Sequence, residues 1–175
     1  MAAVRLELLM ALGAAALLWA ASRTKVGGEV IAKALDTTAQ VFSGPRGIRN
    51  NNPGNIERTA DQWRGMSADQ SADDRFAVFD APVWGLRAMA RILRRYIASG
   101  NDTVREIINR WAPPVENDSG AYVNHVAQLL GLDPDTPIGA EHLPTLMQAI
   151  VMHENGVQPY ADVLFADAIA LEQQT

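Results

Sequence analysis

With 175 residues, 48% of them hydrophobic, the chain carries enough apolar content for one core plus appendages. Its 15 Lys and Arg against 20 Asp and Glu give a net charge of −5, which argues against nucleic acid as the main partner, since neutralising phosphates needs a basic face. The absence of cysteine excludes disulfides, thiolate zinc sites and a Cys nucleophile, and His125, His142 and His153 lack the His-Glu-x-x-His spacing, so no metal and no cofactor are expected.

The N-terminal part holds an uncharged apolar run from Leu8 to Ala21, with Arg5 and Glu7 before it and Arg23 and Lys25 after it. A membrane span needs about twenty apolar residues. The run is short for one and suits the core of an export signal, with Ala20 and Ser22 as a small-x-small cleavage pattern. The stronger positive flank on the far side favours a short anchor with Arg23 and Lys25 held in the cytoplasm. Residues 1–25 are therefore expected to form a hydrophobic anchor or signal helix that meets the membrane through residues 8–21. In residues 26–44, Ile31, Leu35, Thr38 and Phe42 share one helical stripe, giving an amphipathic connector. Residues 45–175 are expected to make the globular domain.

That domain opens on 46-RGIRNNNPGNIE-57. Gly accepts positive φ, Asn bonds its own backbone and Pro presets φ, so the segment is a shaped loop. Consecutive side-chain amides also offer donors and acceptors to a polar neutral ligand such as a sugar hydroxyl or an N-acetyl group. Asn50, Asn51, Asn52 and Asn55 are therefore candidate ligand contacts, and the competing reading is an internal turn that pins its neighbours. Two short β segments are expected at 62-QWRGM-66 and 75-RFAVFD-80, the second alternating Phe76, Val78 and Asp80. From Pro82 the period becomes helical through Leu86, Met89, Ile92, Leu93 and Tyr96, with Arg87, Arg91, Arg94 and Arg95 expected on a solvated flank.

Asn101, Asp102 or Thr103 can cap a helix with the stripe Val104, Ile107, Ile108 and Trp111, stopped by Pro113-Pro114. Asp118 or Ser119 can cap the next, which carries Tyr122, Val123, Val126, Leu129 and Leu130. The last helices are expected over 143–154, closed by Asn155-Gly156, and roughly over 161–173. The fold class expected is mainly α: an α+β domain of helices with one small β element, preceded by the N-terminal hydrophobic helix.

Breaking a glycosidic bond needs a carboxylic acid in a partly dry place. Glu154 ends the apolar stretch LMQAIVMHE at the negative end of a helix dipole, and both surroundings favour the protonated form that a general acid needs. Its plain alternative is an exposed helix-end carboxylate. Glu116, in a rigid Pro-Pro turn, is the runner-up, with helix capping as its alternative. Glu57, at the end of the Asn-rich loop, is the third carboxylate. Trp63, Trp84 and Trp111 can floor a sugar cleft or serve the core. His153 is expected to be an ordinary helix-end residue.

The strings GIRNNNPGNIE, FAVFDAPVWGLRAMARIL, RWAPPVENDSGAYVNHV and HENGVQPY, in this order, resemble a family of phage and prophage virion structural proteins. Members of that family resemble lysozyme-like peptidoglycan transglycosylase modules, and the resemblance covers roughly residues 45–165. It implies a lysozyme-like domain, peptidoglycan glycan strands as partner, other virion proteins as further partners, and a place in the virion or at the bacterial inner membrane and periplasm. In lytic transglycosylases the catalytic glutamate ends an apolar helix and is followed by a small polar residue and Gly. The segment AIVMHENG matches that pattern and implies Glu154 as the general acid. A turn-rich loop follows the glutamate in those enzymes and precedes it here, which requires a permuted order. The substrate-binding set implied is Asn50, Asn51, Asn52, Asn55, Trp63, Tyr122 and Tyr160. Two functions fit: a lytic transglycosylase acting on the cell wall during genome delivery or lysis, or a non-catalytic virion module that binds the wall or another virion protein.

Overall fold

The computed structural model of the protein describes residues 44–113 and 119–174. In chain order these form α1 (Arg46–Arg49), α2 (Pro82–Ala98), α3 (Val104–Trp111), α4 (Ser119–Leu130), a 3₁₀ turn (Ala140–His142), α5 (Leu143–Asn155) and α6 (Asp162–Gln173). Proline fits the first position of α2 because it has no N–H to leave unpaired there, and Leu86, Met89 and Leu93 then come round to the fully buried face. Thr103 caps α3 through a reciprocal box. Its hydroxyl accepts from the Glu106 N–H and the Glu106 carboxylate accepts from the Thr103 N–H, each at 3.2 Å. Leu146, Met147 and Ile150 put α5 into the same core, and Gly156, at φ 69°, lets the chain turn away at its end. Helix α2 packs along α6, while α4 packs on α3 and α5.

The expected β element does not form. Among the described residues the extended stretches meet only in isolated bridges, Glu57 with Phe76 and Met66 with Phe79, so the domain is helical and not α+β. The alternation in 75–80 is real, since Ala77 and Phe79 are buried, but its partners are loops. Ala77 N–H donates to the Ile56 carbonyl at 3.0 Å and Phe79 N–H to that of Asn50 at 2.9 Å, both in the Asn-rich loop. On the other side Val78 N–H donates to the Gln70 side chain at 2.9 Å. A loop turned by Asn51 and Asn55, at φ 52° and 48°, cannot run alongside for two consecutive residues, so no ladder propagates.

Of the four arginines expected on a solvated flank of α2, Arg95 is exposed, whereas Arg87 and Arg94 are engaged within the fold. Arg87 is 3% exposed and its Nε donates to the Leu171 carbonyl at 3.3 Å, while Arg94 Nε donates to Glu172 at 2.8 Å. Both meet the C-terminal turn of α6, where carbonyls and the dipole attract cations. No described helix is long and apolar enough to cross a membrane. The expectation of a transmembrane anchor, of a membrane partner and of an inner-membrane location is therefore carried by no described helix. The run Leu8–Ala21, the hydrophobic helix expected there and the connector lie outside the described residues.

Gly85 is where α2 presses on the Asn-rich loop: a Cβ there would lie 2.0 Å from the Asn51 carbonyl oxygen. Gly85→Ala is expected to lower the unfolding free energy by about 3 kcal/mol or more, at or beyond the upper end of ordinary overpacking, as read from urea denaturation.

Candidate functional site

The last turn of α5 carries Glu154 to the edge of a cleft of about 830 Å³, lined among others by Arg46, Asn55, Glu57, Tyr96 and Trp111. A second hollow of about 460 Å³ shares Ile56, Glu57, Ile92 and Tyr96 with it and adds Trp63, Arg95 and Arg110. Each Glu154 oxygen accepts one hydrogen bond: Oε2 from Asn55 Nδ2 at 2.8 Å and Oε1 from the Tyr122 hydroxyl at 2.9 Å. Burial, and then the neighbouring Glu154 carboxylate, push the Tyr122 phenol above its usual range, so it keeps its proton and stays a donor.

The next residue fixes this arrangement. Asn155 is buried, and its Nδ2 donates to the Pro53 carbonyl at 2.7 Å and to that of Val151 at 2.9 Å, joining the loop to the end of α5. Gly47 makes room for the joint, because a Cβ there would lie 2.6 Å from Asn155 Oδ1. Gly54 does the same under Trp111, whose Cζ2 would lie 2.7 Å from an added Cβ. The Trp111 ring therefore rests on loop backbone at the cleft wall.

The four asparagines take different positions. Asn50 donates to Asp73 at 2.7 Å and Asn51 to the Phe79 carbonyl at 2.9 Å. Asn52, wholly buried, donates to the carbonyls of Ile56 and Ala77 at 2.9 and 2.8 Å and accepts from the Ile56 N–H at 2.9 Å. Only Asn55 of the four lines the cleft. Glu57 is exposed at the rim and accepts from Arg75 Nε at 2.7 Å. Trp63 lines the second hollow, whereas Trp84 covers Gly65. Tyr122 is buried behind Glu154. Tyr160 lines neither hollow: its ring meets Phe165 edge-on, its buried hydroxyl has no partner among the described residues, and burial pushes the phenol up to about 12. Glu116 lies outside the described residues.

Two features were not expected from the sequence. The Arg46 guanidinium lies 3.7 Å from the Phe76 ring centroid on the cleft wall, a cation–π contact. The His153 imidazole stacks on the Tyr122 ring at 3.5 Å and 8°, and its Nδ1 lies 2.9 Å from that of His125. The signal for the second was the i, i+3 spacing of Tyr122 and His125, which puts both on one face of α4.

The described residues thus form a helical domain with a carboxyl at a helix end, held by a phenol and an amide beside a cleft walled by arginines and aromatics. No protein-family model matches the chain. Over 125 residues it is 41% identical to Protein P5 of Pseudoalteromonas phage PM2, an alignment covering 69% of this chain and 78% of that protein. The chain belongs to the family of that phage protein.

Asn52→Ala would strand the Ala77 carbonyl and the Ile56 N–H, and leave the Ile56 carbonyl with the Ala77 N–H alone. It is expected to cost about 2 kcal/mol or more of stability in urea denaturation, since each stranded buried group costs about 1–3 kcal/mol.

Burial, and then His125, lower the proton affinity of His153 below its ordinary 6.5, against a weaker opposing pull from Glu154. The unfolded state then binds more protons just below pH 6.5, so this contribution to stability is complete above that value and is lost as pH falls through the folded value. The urea midpoint is expected to fall between about pH 7.5 and about pH 5, and to fall less in His153→Phe, which keeps a ring on Tyr122.

Proposed function

We propose that this phage-family protein cleaves peptidoglycan glycan strands as a lytic transglycosylase, carried in the virion and acting during genome delivery or lysis. The observation that carries the reading is Glu154, set at the end of a buried helix and opening on a cleft with Asn55, Trp111 and Tyr96 in its walls. Glu154 gives its proton to the glycosidic oxygen as the C1–O bond breaks, and the leaving sugar departs as an alcohol. The resulting carboxylate then takes the proton of the muramic 6-hydroxyl as that oxygen bonds to C1, closing a 1,6-anhydro ring. Asn55 and Tyr122 stabilise the carboxylate between the two transfers. The aromatic rings of Trp63, Tyr96 and Trp111 offer flat apolar faces to sugar rings.

A second reading is a non-catalytic virion module that binds the wall or another virion protein. It is favoured by the loop, where Asn50, Asn51 and Asn52 are engaged within the fold, and by Glu57, which is paired with Arg75.

Digestion of purified peptidoglycan by the full chain, with mass analysis of products, separates the two. Anhydromuropeptides are expected from the wild type. Glu154→Gln should lower the rate by roughly two to four orders of magnitude while leaving the thermal melt in place, and Glu57→Gln should be milder. A wild type that releases neither anhydro products nor reducing ends establishes the binding module instead.

A further inference from the structure

Behind the cleft the contact between Tyr122 and Glu154 continues into His153 and His125, which the acid–base scheme does not use. The Tyr122 ring is 3% exposed and its hydroxyl reaches Glu154 Oε1 at 2.9 Å. One face of that ring is covered by the parallel imidazole of His153, at 3.5 Å between centroids. The His153 ring is in turn fixed by the 2.9 Å contact between its Nδ1 and that of His125, the two rings being inclined at 48°. Tyr122 and His125 lie on α4, His153 and Glu154 on α5, so two residues from each helix make the crossing.

We infer that His153 is a positioning residue for the Glu154 carboxyl: it clamps the Tyr122 ring so that the phenol stays on Oε1, and His125 holds the clamp in register. The inference rests on the reading of Glu154 as general acid. A phenol ring turns about two side-chain bonds, and an error of about 1 Å at a reacting group costs on the order of 100-fold in rate. The stack removes that freedom.

The Nδ1-to-Nδ1 contact requires one ring to donate and the other to accept. It survives with both rings neutral or with one protonated, and breaks when both are. The titratable groups that act on His153 are His125 and Tyr122 from α4 and Glu154 from its own helix; Asn55, reaching in from the loop, is neutral. The clamp therefore has an acid limit set by the histidine pair.

The test is a pH–rate series on the full chain with His153→Ala, His153→Phe, Tyr122→Phe and the double variant Tyr122→Phe with His153→Ala. His153→Ala is expected to lower kcat about tenfold with KM unchanged. His153→Phe, which keeps a flat ring on Tyr122, should restore most of that rate and remove the acid-side inflection due to the pair. The double variant should be no slower than Tyr122→Phe alone, because His153 acts through Tyr122. Additive losses, or a His153→Phe as slow as His153→Ala, overturn the inference. If His153→Ala does not fold, His125→Ala replaces it in the same cycle.

Should the wild type cleave no glycan, the enzymatic reading falls and the coupling is read by carbon-13 NMR of the Glu154 carboxyl. Equal displacement of its titration in Tyr122→Phe and His153→Ala supports the clamp, and a wild-type titration in His153→Ala refutes it.

Discussion

One buried amide ties the two ends of the domain together. Asn155 Nδ2 has two protons, and it gives one to the Val151 carbonyl in its own helix and the other to the Pro53 carbonyl, 102 positions away in sequence. The cleft depends on this joint, since it brings the Asn-rich loop against the end of α5 and so brings Asn55 to Glu154. Its acceptor Oδ1 is buried and has no donor among the described residues, nor has Asn55 Oδ1, and a Cβ on Gly47 would lie 2.6 and 3.1 Å from them. Such groups cost about 1–3 kcal/mol each when stranded in a buried site. The close approach of loop and helix offsets that penalty by burying Gly47, Asn52 and Ile56 of the loop.

The loop is thus a scaffold with one functional corner. Its positive-φ residues are asparagines and not glycines, and each contributes an amide besides its turn: Asn51 to the 75–80 segment and Asn55 to Glu154. Glycine there would supply the conformation and lose the bond. At Gly47, Gly54 and Gly85 the demand is reversed, because side-chain or backbone atoms occupy the space of a Cβ.

What the sequence made legible follows from this division. The helical stripes Leu86-Met89-Leu93 and Val104-Ile107-Ile108 are core, because a period of 3.6 registers burial directly. Thr103, one of three caps that the sequence offered, and the Asn155-Gly156 stop were readable for the same local reason. Residues 75–80 were misread because alternation reports an extended, half-buried chain and carries no information on whether its neighbours are extended too. Arg87 and Arg94 were misread because charge runs mark solvated faces until another helix end lies across them. The placement of Glu154 at a helix end was legible. Its partners Asn55 and Tyr122 were not, since they are 99 and 32 positions away and only the fold joins them.

The two carboxylates on the cleft are sorted by the kind of donor each meets. Glu57 faces a guanidinium, which has donors only, so its bond to Arg75 is a charge-assisted tie at the surface. Glu154 faces an amide N–H on one oxygen and a phenol on the other, and these are not equivalent. The amide nitrogen only donates, so Oε2 is fixed as an acceptor throughout. A hydroxyl both donates and accepts, so Tyr122 can donate to the carboxylate and, by turning its O–H, receive a bond from the carboxylic acid. In the proposed reaction Oε1 therefore keeps a partner in both states of the carboxyl, and the high proton affinity of Tyr122 keeps the phenol from ionising in turn. A lysine or arginine in the place of Tyr122 would serve only the charged half of the cycle, and an apolar residue only the neutral half.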